Sequence, residues 1–331
     1  MKTAQKKIAI ILITLLVVIS LLFVLYNRVT PQRHIELGAW TTGFFDPVTQ
    51  TLHPEKLQQF EQLIDKKVSI AHFYRGWEAL SEPSLLTQFN TLHTYGWTPM
   101  INVNPYFFAQ CDAGNMTLYK AIANGNCDTF LHKAGKNLAQ AKEPFYLLFA
   151  WEMNNPQLEW SVSHSGSSSA EYVAAWRHIH TIFKQEHVTK VLWVFCPNTL
   201  GGTSISYDDL YPGNEYVDWT GLDGYNWGTT QSWSHWQSFS EVFSPSYNHL
   251  LSIAPHKPML LAEVNTTDQG GDKSAWYTDM LTKQLPENFP NIKAVVIYNE
   301  DRTAQEHVNW DVNITSATLQ AFISGVHTGF Y

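Results

Sequence analysis

Eight short apolar runs, each followed by a longer amphipathic stretch, restrict what this chain can fold into more than any other feature. The runs are 35–40 (IELGAW), 68–74 (VSIAHFY), 98–103 (TPMINV), 145–151 (FYLLFAW), 190–196 (KVLWVFC), 217–222 (VDWTGL), 258–264 (PMLLAEV) and 292–298 (IKAVVIY). Each is too short for a core helix and rich in β-branched and aromatic residues, so each reads as a buried strand. Helical patterns separate them, at 54–65, 83–94, 128–141, 170–186, 236–253, 272–285 and 315–325. Strands that are apolar on both faces, alternating with helices, imply a parallel sheet covered by helices. Eight such units in about 300 residues imply an α/β fold of the (β/α)8, or TIM, barrel type. A doubly wound open sheet is the alternative, but no G-x-G-x-x-G follows the first strand. No linker or low-complexity tract interrupts 35–331, which therefore reads as one domain.

The N-terminus has a different character. Lys2, Lys6 and Lys7 form a basic stub over 1–7, and an uncharged apolar run occupies 8–26. At 1.5 Å per residue that run spans roughly 28 Å, close to the hydrocarbon thickness of a bilayer. It ends in Phe23-Val24-Leu25-Tyr26-Asn27-Arg28, without the small residues of a cleavage site. The reading is one transmembrane signal anchor preceding the barrel, then a stalk over 27–34. The lysines would remain cytoplasmic and the domain extracytoplasmic, periplasmic or on the cell surface. Five of the 21 Lys and Arg lie in the first 33 residues and none of the 29 Asp and Glu does, so the remainder is acidic, near −13. That argues against nucleic acid as a partner. Cys111 and Cys127 flank a stretch containing Gly114, Asn115, Gly125 and Asn126, a plausible loop disulfide in an oxidising compartment. Cys196 reads as a buried thiol. No Cys or His spacing suggests a metal, and no cofactor motif is present.

In such a barrel the chemistry lies at the C-terminal ends of the strands. Those ends carry Thr41 and Asp46, then Arg75, Trp77 and Glu78, then Asn102 and Asn104, then Glu152 and Asn154, then Asn198. The later ends carry Asp223, Tyr225, Asn226 and Trp227, then Glu263 and Asn265, then Tyr298, Asn299, Glu300 and Asp301. Carboxylates, amides and aromatic rings dominate. Amides and carboxylates partner sugar hydroxyls, and aromatic rings stack on apolar sugar faces. Glu152 and Glu263 each close a strongly apolar strand, FYLLFAW-E and KPMLLA-E. A carboxylate there is costly unless paired or functional. One strand-end glutamate is readily a salt bridge at the rim. Two, on strands 4 and 7, fit the pair of carboxyl groups that glycosidic hydrolysis requires.

Four stretches resemble glycoside hydrolase family 26, best known for β-mannanases: FAWEMNN (149–155), VLWVFCPN (191–198), VDWTGLDGYNWG (217–228) and KPMLLAEVNTTDQGGDKSAWYTDM (257–280). The stretch EYVAAWRHIHTIF (171–183) resembles that family's fourth helix. The resemblance implies a retaining double displacement on a β-linked polysaccharide, with Glu152 as acid/base and Glu263 as nucleophile. It also implies that Tyr225 hydrogen-bonds the nucleophile, and it places Asn154 and Asn198 on polar positions of the family site. Mannan is the first expected substrate, followed by mixed-linkage glucan, xylan or an exopolysaccharide. A barrel that binds carbohydrate without cleaving it is the alternative class.

The chain departs from the family's H-E-M-N motif, because Trp151 precedes Glu152. An indole there loses an acceptor and adds an apolar face. Trp160 is a stacking face or a loop-packing residue. Trp77, Trp227 and Tyr298 are sugar platforms or rim packing. Arg75 is a partner for a pocket carboxylate or for a surface one. Trp193 and Trp219 read as core, Asp223 as a residue bonding loop backbone, and the histidines, His72 included, as solvated or structural.

Overall fold

The computed structural model describes residues 33–105, 111–199 and 205–331. The anchor expected at 8–26 and nearly all of the stalk lie outside these residues. Among the described residues no helix is long and apolar enough to cross a membrane.

The barrel strands are β1 (Glu36–Thr41), β2 (Ile70–Gly76), β3 (Thr98–Asn104), β4 (Phe145–Phe149), β5 (Val191–Phe195), β6 (Trp219–Asn226), β7 (Met259–Thr266) and β8 (Ile292–Asn299). Each pairs in parallel with its neighbours in sequence, and β8 pairs back onto β1 to close the barrel. Helices Pro54–Ile64, Pro83–Thr94, Asp128–Leu138, Ser169–Gln185, Phe239–Ile253 and Ser316–Val326 cover the outside. Several starts are written locally. Pro54 and Pro83 open their helices, where a missing N–H costs nothing. Ser168 with Glu171, and Ser238 with Glu241, form complete capping boxes. The single helix expected over 272–285 is instead a short α-helix, Lys273–Asp279, continued by a π-helix, Met280–Asn288. Pro286 in that last segment has no N–H to return to an α-helical ladder.

Two apolar clusters follow from strand alternation. The outer one fills the space between strands and helices. The inner one fills the barrel with Ile70, Met100, Tyr146, Leu148, Val194, Leu260 and Val296. Trp193 joins the outer cluster, and Trp219 packs inside, edge-on to Tyr146. The glycine at 38 lets β1 and β2 approach: a Cβ there would lie 2.7 Å from that of Ile70.

One irregularity positions the site. Leu222 of β6 pairs with Leu261 of β7, but Asp223 pairs with Glu263, and β8 shows the same slip, Val295 with Leu261 and Ile297 with Val264. A bulge therefore sits at Ala262–Glu263. Leu260 and Ala262 face the barrel interior, and Val264 faces outward. Strict alternation would send Glu263 outward too. The extra residue re-aims it into the mouth, a recurrent use of bulges. Beyond the bulge, the buried Asn265 donates to the carbonyls of Tyr298 and Trp310, both at 2.6 Å, and accepts from the Tyr277 hydroxyl. That amide ties the ends of β7 and β8 to the loop that follows.

Candidate active site

A cleft of about 870 Å³ opens at the C-terminal ends of the strands, with Glu152 and Glu263 on its walls. Both are more than nine-tenths buried. One carboxylate oxygen from each of Glu152, Asp223 and Glu263 lies within 4.8 Å of the others.

The two glutamates arrive by different backbone devices. Glu263 comes from the β7 bulge. Glu152 follows β4 on a chain that is left-handed at Ala150 (φ 49°) and at Glu152 itself (φ 51°). Non-glycine residues pay roughly 1–2 kcal/mol each for that conformation. The bonds from Ala150 N–H to the Val103 carbonyl (2.9 Å) and from Glu152 N–H to the Cys196 carbonyl (2.8 Å) hold it in place. As a result, Trp151 and Glu152, adjacent in sequence, both line the cleft.

Hydrogen-bond donors surround Glu263. The Tyr74 hydroxyl donates to Oε1 at 2.5 Å, Asn102 Nδ2 to Oε1 at 3.2 Å, and the Tyr225 hydroxyl to Oε2 at 2.6 Å. Burial raises the Glu263 carboxyl above the usual range, and the charge of Glu152 adds to that; Tyr225, Tyr74 and Arg302 oppose it. Burial also raises Glu152, which accepts from the side chains of Asn155 and Asn198. The His72 imidazole lies 3.9 Å from Glu263, but burial pushes it down to about 3, so it adds no charge. Asp223 is fully buried and accepts from the Cys196 thiol at 3.4 Å; burial, then Glu263 and Glu152, raise it far above a normal aspartate. Three carboxyls so close together cannot all ionise. Among the described residues they also form the one grouping with metal-ligand spacing. Their hydrogen-bond partners are hydroxyl, thiol and amide donors, and Asp223 Oδ2 is left without one.

The residues expected from sequence divide sharply. Trp151, Tyr225, Trp227 and Tyr298 line the cleft with the two glutamates. Asn198 stands beneath, bonded to Glu152. Asn154 does not reach the cleft: it is buried, and its amide exchanges hydrogen bonds with the backbone of Asn198. Trp160 packs behind Trp151, with ring centroids 4.4 Å apart, and donates its indole N–H to the Trp151 carbonyl. It is thus a prop for the wall, not a free stacking face. Trp77 is wholly buried against Phe130, so it is core and no platform. Arg75 turns away from the barrel interior toward Gln88 and Glu82. Asp223 faces the barrel interior, not loop backbone, because β6 runs on to Asn226. Cys111 and Cys127 form a disulfide, and Cys196 is a buried thiol.

Glu300, expected at the end of the last strand, also lines the cleft, and Tyr74, Trp40, Arg302 and Trp310 join it unanticipated. A period-of-two count along β2, with Ile70, His72 and Tyr74 on one face, would have found Tyr74. Glu300 accepts from the Trp40 indole and the Tyr298 hydroxyl, and Arg302 pairs with Glu300 and Glu306. Arg302 arrives on a two-stranded hairpin, Asp301–Arg302 with Val308–Asn309, that no periodic pattern announces.

Residues 109–277 match the model of the family described as "Glycosyl hydrolase family 26". The chain belongs to that family. Its family likeness extends to a protein named Endoglucanase H from Acetivibrio thermocellus, 30% identical over 308 residues, which cover 89% of this chain and 31% of that protein. The chain thus spans about a third of that relative's length. Solved structures share the fold. The modular endo-β-1,4-mannanase of Cellulomonas fimi aligns with a TM-score of 0.66 at 15% identity, covering 90% of this chain and 71% of that one. A family 26 β-mannanase from Bacteroides ovatus aligns with a TM-score of 0.60 at 15% identity, covering 90% and 89%.

The Tyr225 hydroxyl lowers the pKa of Glu263, so its removal must raise it. A charge-assisted hydrogen bond of roughly 1.5–3 kcal/mol corresponds to about one to two pH units. Tyr225→Phe should therefore move the acid limb of the kcat/KM profile upward by that amount, measured from pH 3 to 9. An unmoved limb would show that Tyr225 does not govern this carboxylate.

Proposed function

We propose that the chain is a retaining, endo-acting β-glycan hydrolase, with Glu263 as nucleophile and Glu152 as acid/base. The observation that carries this reading is the approach of their carboxylate oxygens to within 4.8 Å inside a cleft. Retaining enzymes hold their two carboxyl groups about 5–5.5 Å apart, whereas inverting ones leave room for a water at about 6.5–9.5 Å.

The hydrogen bonds suggest where the shared proton rests. Glu263 receives two tyrosine hydroxyls, one amide and the field of Arg302, all of which favour its ionised form. Glu152 receives amides only. The resting proton is therefore assigned to Glu152. In the first step Glu263 attacks the anomeric carbon as the glycosidic bond breaks, and Glu152 gives its proton to the leaving oxygen. Esterification removes the charge on Glu263. Glu152, now ionised, takes a proton from water, which attacks the same carbon and releases Glu263. Activity is lost at low pH as Glu263 takes up a proton and at high pH as Glu152 gives its proton up. Burial raises both groups, so both limbs of the profile lie above the ordinary carboxylate range.

We read a β-glucan as the first substrate class. The relative at 30% identity is named an endoglucanase, and Trp151 stands where the family motif has histidine. A β-mannan is the second reading, favoured by the mannanases among the fold neighbours. We also read 8–26 as an uncleaved anchor that holds the barrel outside the cytoplasm, in keeping with the Cys111–Cys127 disulfide.

Two experiments check this. The full chain is assayed on cellulose, mixed-linkage glucan, mannan and xylan, beside Glu263→Gln and Glu152→Gln. Glu263→Gln should lose about 10³-fold or more in kcat on every substrate. Glu152→Gln should lose as much on polysaccharide but far less on an aryl glycoside whose leaving group needs no proton. Near-normal turnover by Glu263→Gln would refute the nucleophile assignment. For the anchor, the expressed chain should sediment with membranes and resist carbonate extraction; recovery in the soluble fraction would refute it.

A further inference from the structure

A row of aromatic rings leads out of the cleft to a tryptophan that nothing so far has used. It starts at Tyr225, bonded to Glu263, and passes to Trp310 (ring centroids 4.9 Å apart), then Trp227 (5.0 Å), then Trp233 (5.6 Å). Trp310 is buried and Trp227 lines the cleft, but Trp233 stands 69% exposed beyond it. An indole left in water forgoes burial that the fold readily gives its other tryptophans.

The loop holding Trp233 is fixed on several sides. Thr230 Oγ1 donates to the Trp227 carbonyl at 2.6 Å, Ser234 Oγ to the Gly228 carbonyl at 2.7 Å, and Gln231 Nε2 to the Glu306 carbonyl at 2.6 Å. Gly228 is left-handed (φ 51°), and a Cβ there would lie 1.9 Å from the Gln269 carbonyl oxygen. The loop is thereby braced against the segments after β7 and β8, the second of which walls the cleft. A rigid, exposed ring on a braced loop is preorganised to bind and loses little freedom in doing so.

We propose that Trp233 forms an outer subsite that stacks on a pyranose ring of a β-linked oligosaccharide whose other end occupies the catalytic cleft. This rests on the β-glycanase reading. The occupant follows from continuity, since a chain leaving the cleft past Trp227 meets Trp233 next. The two rings are tilted by 60°, so a glycan lying on both must turn between them.

The test uses the full chain and two series of increasing length, gluco-oligosaccharides with β-1,4 and mixed β-1,3/1,4 linkages, and manno-oligosaccharides. For Trp233→Ala, kcat/KM on the longest members should fall on the order of tenfold, through KM, as befits one lost stacking platform. The deficit should shrink as the chain shortens, and Trp233→Phe should recover most of it. Binding of the same sugars to Glu263→Gln, with and without Trp233→Ala, is followed by intrinsic fluorescence. A deficit that is absent, or equal at every length, overturns the subsite and leaves the hydrolase reading standing. If the unaltered chain cleaves nothing but Trp233→Ala still weakens binding of long oligosaccharides, the hydrolase reading fails and the subsite stands. If no oligosaccharide binds, both fall.

Discussion

The arrangement depends on burying carboxyl groups at the mouth of a barrel, and the proposed mechanism on keeping one of them charged. Moving a carboxylate out of water costs several kcal/mol even after the surroundings relax. At Glu263 the cost is offset by donors on both oxygens, Tyr74 and Asn102 on one and Tyr225 on the other. Those donors come from β2, β3 and β6, and Glu263 itself from β7, so four strands of a closed barrel must hold register for the charge to be tolerated. Closure is therefore more than a shape. Asp223 and Glu152, within 4.8 Å, lower the tolerance for a second negative charge and make a shared proton the stable state.

That constraint explains local features that would otherwise be defects. The β7 bulge spoils alternation yet brings Glu263 inside. The left-handed residues Ala150 and Glu152 are strained, yet they place a tryptophan and the adjacent carboxyl in the same cleft. Trp160 and Asn154 serve from behind. One braces Trp151, and the other clamps the backbone of Asn198, whose side chain supports Glu152.

The sequence made the barrel legible because its strands are buried on both faces and so appear as unbroken apolar runs. It made Glu152 and Glu263 legible because a carboxylate that closes such a run is conspicuous. Tyr225, Trp227 and Tyr298 were legible through their motifs and strand ends. Position at a strand end does not reveal which face a residue takes, however. For Arg75 and Trp77 a strand-end position left both a cleft and a packing role open; they lie outside the cleft, while Tyr74 points in. For β2, parity alone separates them. For β7, parity gives the wrong answer, because a one-residue bulge carries no compositional mark. The contributions of Arg302 and Trp310 depend on how a loop folds back over the mouth, through partners such as Asn265 that are distant along the chain. Nothing local encodes that.

The central claim is that two carboxyls lie close enough for one to bond the sugar while the other moves a proton. The stereochemistry of the product reports this directly. Proton NMR of the first reducing ends released from a β-linked glycan, recorded before mutarotation, should show the β anomer. Initial release of the α anomer would mean that water attacks directly from the opposite face, and the account of Glu263 as nucleophile would be wrong.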